Sequence, residues 1–285
     1  MKWQGRRQST NIEDRRRSGT RGGAAGVGGI GVIVIVVIGY FLGVDLTPLL
    51  QQGGGEPQVA TGQDVELTAA DERAAAFVAV TLADTEEVWA AIFQSQFRQT
   101  YAPPVLVLFK GETQSACGGA SAAAGPFYCP PEQKVYLDTE FFTTMERQLG
   151  AGGDFAQAYV VAHEVGHHVQ NLLGILDTAN RERERSSEVR SNEISVQIEL
   201  QADCLSGIWA RAAADQFGSL EPGDIEEAMN AAAQIGDDTL QRNAGQRVSP
   251  DSFTHGTSAQ RQRWFNRGYV SGDIGQCDTY NAPSL

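Results

Sequence analysis

Hydrophobic positions fall into distinct regimes along the chain. Residues 30–42 read I-G-V-I-V-I-V-V-I-G-Y-F-L, and no charged residue occurs between Gly22 and Val44. About 20 helical residues cross a hydrocarbon core, so residues 23–44 predict one transmembrane helix. Residues 45–63 show no periodicity and read as a flexible linker. Helical spacing begins beyond them. Ala74, Phe77, Val78 and Leu82 mark one face of a helix over 68–82, starting at Thr68 or Asp71. Val88, Ile92 and Phe93 mark a second helix over 84–96, with Asp84 as its N-cap. Pro103-Pro104 then introduce V-L-V-L-F at 105–109, a short continuous apolar run and so a buried strand. After a Gly/Ala/Ser-rich loop over 111–126, K-V-Y-L at 134–137 predicts a second strand. Helical patterns dominate the rest, over 154–173, 187–217, 224–235 and 258–267, with Gly268 at a C-cap position. A few strands followed by several helices indicate an α+β domain, mostly helical with a small sheet, over residues 64–285.

Charge refines the picture at both ends. Residues 1–22 hold seven basic side chains against Glu13 and Asp14, leaving 15 basic and 33 acidic residues in the remainder. A domain that acidic is repelled by a phosphate backbone, which argues against nucleic acid as a partner. Basic residues crowd only the N-terminal side of the apolar run, and Asp45 follows it. The positive-inside rule therefore predicts a basic cytoplasmic tail over 1–22, a single crossing of the cell membrane, and a domain outside the cytoplasm. No small-residue cleavage site follows the run, which favours an anchor over a cleaved signal peptide. Four cysteines agree with an oxidising compartment and suggest two disulfides. Cys117 with Cys129 would close a short loop, leaving Cys204 with Cys277. No C-x-x-C spacing suggests a cysteine metal site.

The sharpest chemical signal is His163-Glu164-Val165-Gly166-His167. Histidines at i and i+4 project from one helix face, where both imidazoles reach a single Zn2+. Glu164 lies about 100° round the helix from His163. There it can take a proton from a water without occupying a coordination position. Gly166 costs about 1 kcal/mol relative to Ala in a helix interior, which a close-packed neighbour would explain. Catalytic zinc takes three protein ligands. The candidate for the third is Glu199, 32 residues beyond His167, in an otherwise apolar helical stretch. Asp203, one turn further on, would accept the free N–H of His163 or His167 and orient the ring.

H-E-V-G-H-H followed by E-L-Q-A-D-C resembles the bacterial neutral zinc metallopeptidases. The opening M-K-W-Q-G-R-R with N-I-E-D-R, F-Y-C-P with V-Y-L-D, and F-T-H-G at 253–256 are similar to that family as well. The resemblance implies a zincin-like fold and one Zn2+. It also implies His163, His167 and Glu199 as ligands and Glu164 as catalytic base. It names no substrate.

Other residues stand in a weaker position. His255 would stabilise the oxyanion of a tetrahedral intermediate, oriented by Asp251; the plainer reading is a turn residue before Gly256. His168 points away from His167 and reads as a packing residue. Tyr136 falls on a strand that would form the upper rim of a cleft. The run Arg181–Arg185 reads as a solvated segment that could also gate the cleft. These features together lead us to expect a membrane-anchored endopeptidase acting on peptide or protein substrates near the bilayer. Three alternatives stay open: hydrolysis of cell-wall peptide cross-links, a zinc-stabilised, non-catalytic binding protein tethered to the membrane, and a cytoplasmic protein with reduced thiols. Intact Glu164 argues against the second, because a purely structural site needs no base.

Overall fold

The apolar run at 105–109 forms the second strand of a four-stranded sheet in the computed structural model, which describes residues 1–17, 66–121 and 125–285. The strands are β1 (Ile12–Asp14), β2 (Val105–Phe109), β5 (Phe127–Cys129) and β6 (Lys134–Asp138), in the order β1-β2-β6-β5. The β1–β2 and β2–β6 pairs are parallel, and β5 runs antiparallel to β6 at the sheet edge. Continuous apolarity in β2 reflects burial on both faces. Leu106 and Leu108 enter the main core under the helices, while Val107 and Phe109 pack with Tyr136 and Cys129 on the opposite face. A two-stranded hairpin, β3 (Glu112–Ser115) with β4 (Gly118–Ser121), interrupts the expected loop.

The helices are α1 (Ala69–Ile92), α2 (Glu140–Gln148), α3 (Asp154–Leu172), α4 (Ile175–Arg183), α5 (Glu188–Ala212), α6 (Asp224–Gln234), α7 (Asp237–Asn243) and α8 (Ser258–Ser271). Thr68 caps α1 in a capping box with Asp71. The two helices expected over 68–96 are one continuous helix. Asp84, read as an N-cap, is a buried mid-helix residue whose carboxylate pairs with Arg6 at 2.8 Å. Helix α8 continues past Gly268 to a left-handed cap at Gly272. Gly268 is a contact point rather than a cap, since a Cβ there would lie 1.9 Å from the carbonyl oxygen of Cys204 on α5. Both expected disulfides form, Cys117–Cys129 and Cys204–Cys277.

Residues 1–17 require a correction. They belong to the folded domain, not to a separate tail, so the boundary at 64 leaves out an integral piece. Ile12, Glu13 and Asp14 pair with Leu106, Val107 and Leu108. The amino group of Met1 is within 2.8 Å of Asp154 and 3.2 Å of Asp224. Trp3 sits edge-on to Phe77, with ring centroids 5.5 Å apart. Arg7 pairs with Glu86 and Glu87, and the buried Arg16 bonds Asp14, Glu72 and the backbone oxygen of Asp71. Four of the basic side chains that suggested an inward-facing tail, Arg6, Arg7, Arg16 and Arg17, thus pair with acids of α1. No helix among the described residues is long and apolar enough to cross a membrane, and the span expected at 23–44 and the linker at 45–63 lie outside them.

Candidate metal centre

Helix α3 runs through the core with most of its residues buried, which explains its near-continuous apolarity. It begins after Gly153, and Asp154 is its first residue and receives the Met1 amino group. Helix α5 crosses it at Gly166, where a Cβ would come within 3.1 Å of the backbone oxygen of Ala202. The crossing brings Glu199 against the two histidines. Glu199 Oε2 is 3.1 Å from His163 Nε2, and Oε1 is 3.4 Å from His167 Nε2. Ligand atoms of the three residues all lie within 4.8 Å of one another. Zinc at about 2.0–2.1 Å from tetrahedral ligands implies ligand–ligand separations of about 3.3–3.4 Å, so the donor set has the right span.

The far nitrogens are also fixed. His163 Nδ1 is 2.9 Å from Asp203 Oδ1, and His167 Nδ1 is 2.8 Å from Gln170 Oε1. An N–H on each Nδ1 leaves a lone pair on each Nε2, the form in which imidazole binds a metal. Asp203 thus orients His163, one of the two options its position allowed. It is wholly buried, and Arg261 grips both its oxygens, Nε to Oδ2 at 2.8 Å and Nη2 to Oδ1 at 2.9 Å. Tyr159 donates to Oδ1 as well.

Electrostatics match this geometry. Burial opposes a charged His163, but Asp203 and Glu199 outweigh it and raise its pKa. Burial likewise pushes Glu199 up, yet the two imidazoles outweigh that and hold it well below the usual carboxylate range. An ionised, half-buried carboxylate between two imidazoles is a field that favours a divalent cation. Glu164 is 7 % exposed and lines the cleft without a hydrogen bond or ion pair among the described residues. Burial raises its pKa, with His167 and His163 pulling the other way.

These residues open into a cleft of about 490 Å3. Phe127 and Tyr128 on edge strand β5 line it, as do Asn180 and Arg183 on α4, Ile198 on α5, and His255. Arg183 is the member of the charged run that reaches the cleft. His255 does face it, but its partner is Asp237, not Asp251: Nδ1 lies 3.1 Å from Asp237 Oδ1. Asp237 Oδ2 also accepts the backbone N–H groups of Thr254, His255 and Gly256, so one buried carboxylate fixes both loop and ring. Tyr136 does not line the cleft. It is on an interior strand, stacked on Phe127 and donating to Glu132. His168 is wholly buried and bonds Tyr128 and the Ala102 carbonyl.

Sequence reasoning missed Gln170, Arg261 and Asp237. Gln170 alone carried a signal, at i+3 from His167 on the same helix face. Arg261 sits among glutamines and arginines, and Asp237 beside a second aspartate, so neither stood out.

The model of a family described as "Putative neutral zinc metallopeptidase" matches residues 1–280. The uncharacterized protein YpfJ of Escherichia coli (strain K12) is 46% identical over 288 residues, covering 98% of this chain and 99% of its own length. The uncharacterized protein Rv2575 of Mycobacterium tuberculosis (strain ATCC 25618 / H37Rv) is 45% identical over 195 residues, 65% of each chain. No solved structure matches.

Proposed function

Since the chain belongs to the neutral zinc metallopeptidase family, we propose that it is a zinc-dependent endopeptidase using one Zn2+ held by His163, His167 and Glu199. The observation that carries this is the convergence of three anchored donors beside a buried carboxylate, Glu164, that makes no hydrogen bond or ion pair among the described residues. Bound zinc would lower the pKa of a water and polarise the scissile carbonyl. Glu164 takes the proton of the attacking water and delivers it to the leaving amine, a role suited to a carboxyl whose pKa is raised by burial. His255, aimed by Asp237, donates a hydrogen bond to the carbonyl oxygen as negative charge builds there. Tyr128 and Phe127 on one wall, and Ile198 on the other, give a partly apolar slot for a peptide segment. The two disulfides support an extracytoplasmic domain. Association with a bilayer through residues 23–44, with the first residues and the domain on the same side of it, and a peptide or protein substrate near that surface, belong to the same proposal.

The test uses the full chain, wild type and Glu164→Gln, with a mixed peptide library, mass spectrometry of the products, and zinc per chain. One zinc in both and cleavage by wild type alone is the expected result. Zinc in both with no cleavage of peptides would sink the endopeptidase reading and make cell-wall peptides the next substrates.

A further inference from the structure

The two histidines are held by different chemistry. His163 faces a charged acceptor, whereas the acceptor on His167 is a neutral amide, Gln170. An amide has a donor end and an acceptor end, so its orientation decides which form of the imidazole it favours. That orientation is set from a distance. Gln170 Nε2 lies 2.8 Å from the Ile198 carbonyl oxygen and 3.0 Å from Gln201 Oε1. A backbone carbonyl only accepts, so the amide nitrogen must face Ile198 and the amide oxygen must face His167. Gln201 is fixed in the same way, because its Nε2 donates to the Cys277 carbonyl at 2.9 Å and leaves its oxygen for Gln170. Gln170 is wholly buried and Gln201 is 8 % exposed, so water competes poorly for these bonds. The relay ends on a residue bonded through sulfur to Cys204, one turn beyond Gln201 on the helix that carries Glu199.

We propose that Gln170, seated through Gln201 on the Cys277 carbonyl, is the positioning residue that keeps His167 Nε2 free for the metal, and that the Cys204–Cys277 disulfide supports zinc affinity by fixing that carbonyl. This rests on the zinc reading above. It gives the disulfide a local task beyond closing a loop. Breaking it releases the last acceptor of the relay, after which Gln201 and then Gln170 can turn. The other disulfide, Cys117–Cys129, joins the end of the hairpin to the sheet edge and has no part in the relay.

Zinc affinity of the full chain, measured by competition with a chromophoric chelator, tests this without any substrate. The visible spectrum of the cobalt-loaded protein reports the ligand geometry. Gln170→Met keeps the volume and removes the acceptor, and it should weaken zinc about 10–100-fold and alter the cobalt spectrum. Gln170→Glu keeps an oxygen for the Nδ1 proton but sets its second oxygen against the Ile198 carbonyl and Gln201 Oε1, so it should recover only part of the affinity lost in Gln170→Met. Gln201→Met should fall between them. Cys204→Ala/Cys277→Ala should bind zinc more weakly than Cys117→Ala/Cys129→Ala. Wild-type affinity in Gln170→Met overturns the positioning role. Equal affinities in the two cysteine variants overturn the part assigned to the disulfide. A wild-type chain that binds no zinc is a separate result, which removes the zinc reading itself.

Discussion

Substitution of Gly166 by alanine separates the stability of the domain from the quality of its site. A Cβ at this position would lie 3.1 Å from Ala202 O, 3.3 Å from its Cα and 3.4 Å from its Cβ. Carbon contacts settle at about 3.5–4.0 Å, so α3 and α5 must separate by a few tenths of an ångström. Overpacking of this kind costs about 1–3 kcal/mol. Alanine regains about 1 kcal/mol of helix propensity, so the metal-free domain should lose only about 0–2 kcal/mol. The site is less forgiving. His163 and His167 ride on α3 and Glu199 on α5, so the gaps of 3.1 and 3.4 Å between them open directly with the helices. Metal sites hold ligand distances to about 0.2 Å, and zinc affinity should therefore fall tenfold or more. Urea unfolding of the metal-free protein gives the first quantity and chelator competition the second. Wild-type zinc affinity in Gly166→Ala would refute the claim that this crossing sets the ligand geometry.

Other perturbations probe the surroundings. Arg261→Met leaves the wholly buried Asp203 without its guanidinium and should destabilise the domain by about 3–5 kcal/mol in urea unfolding; a loss below about 1 kcal/mol would contradict the pairing. A chain lacking residues 1–17 should show no cooperative thermal transition, because it loses β1 and the partners of Asp84, Glu86 and Asp224. Burial lifts the Asp84 carboxyl from 3.8 to about 7, against the pull of Arg6. The folded state therefore holds this proton more tightly than the unfolded chain, and stability should decline as pH rises from about 4 to about 7. Asp84→Asn should flatten that part of the urea-midpoint profile, and an unchanged slope would show that Asp84 does not set it.

The sequence exposed features that local spacing dictates. Two histidines one turn apart, a carboxylate in an apolar helix, and a β-branched run behind two prolines each carry their structural meaning within a few residues. The cysteine pairs could be read because the loop between Cys117 and Cys129 is short. Long-range partners were harder to see. Asp251 is nearer in sequence to His255 than Asp237 is, yet α7 presents Asp237 to the loop. Asp84 looks like a helix start until Arg6, 78 residues away, arrives to occupy it. Strand β1 was hidden for a related reason. Three residues between arginines carry no strand pattern, and charge rules read the segment as a tail because the acidic partners of Arg6, Arg7 and Arg16 on the helix lie at 72–87.

That short strand also constrains where the protein can be in a cell. Ile12 is hydrogen-bonded into the same sheet as Leu106, and Arg17 lies 3.6 Å from Glu72. A single passage through a bilayer between Arg17 and Glu66 would put a strand and its neighbour in different compartments. The first residues and the metal centre therefore share one side of any membrane the chain touches, contrary to an inside N-terminus and an outside domain. A thiol-specific label that cannot cross membranes should reach a cysteine placed at exposed Lys2 whenever it reaches one placed at exposed Val189, and be kept from both otherwise.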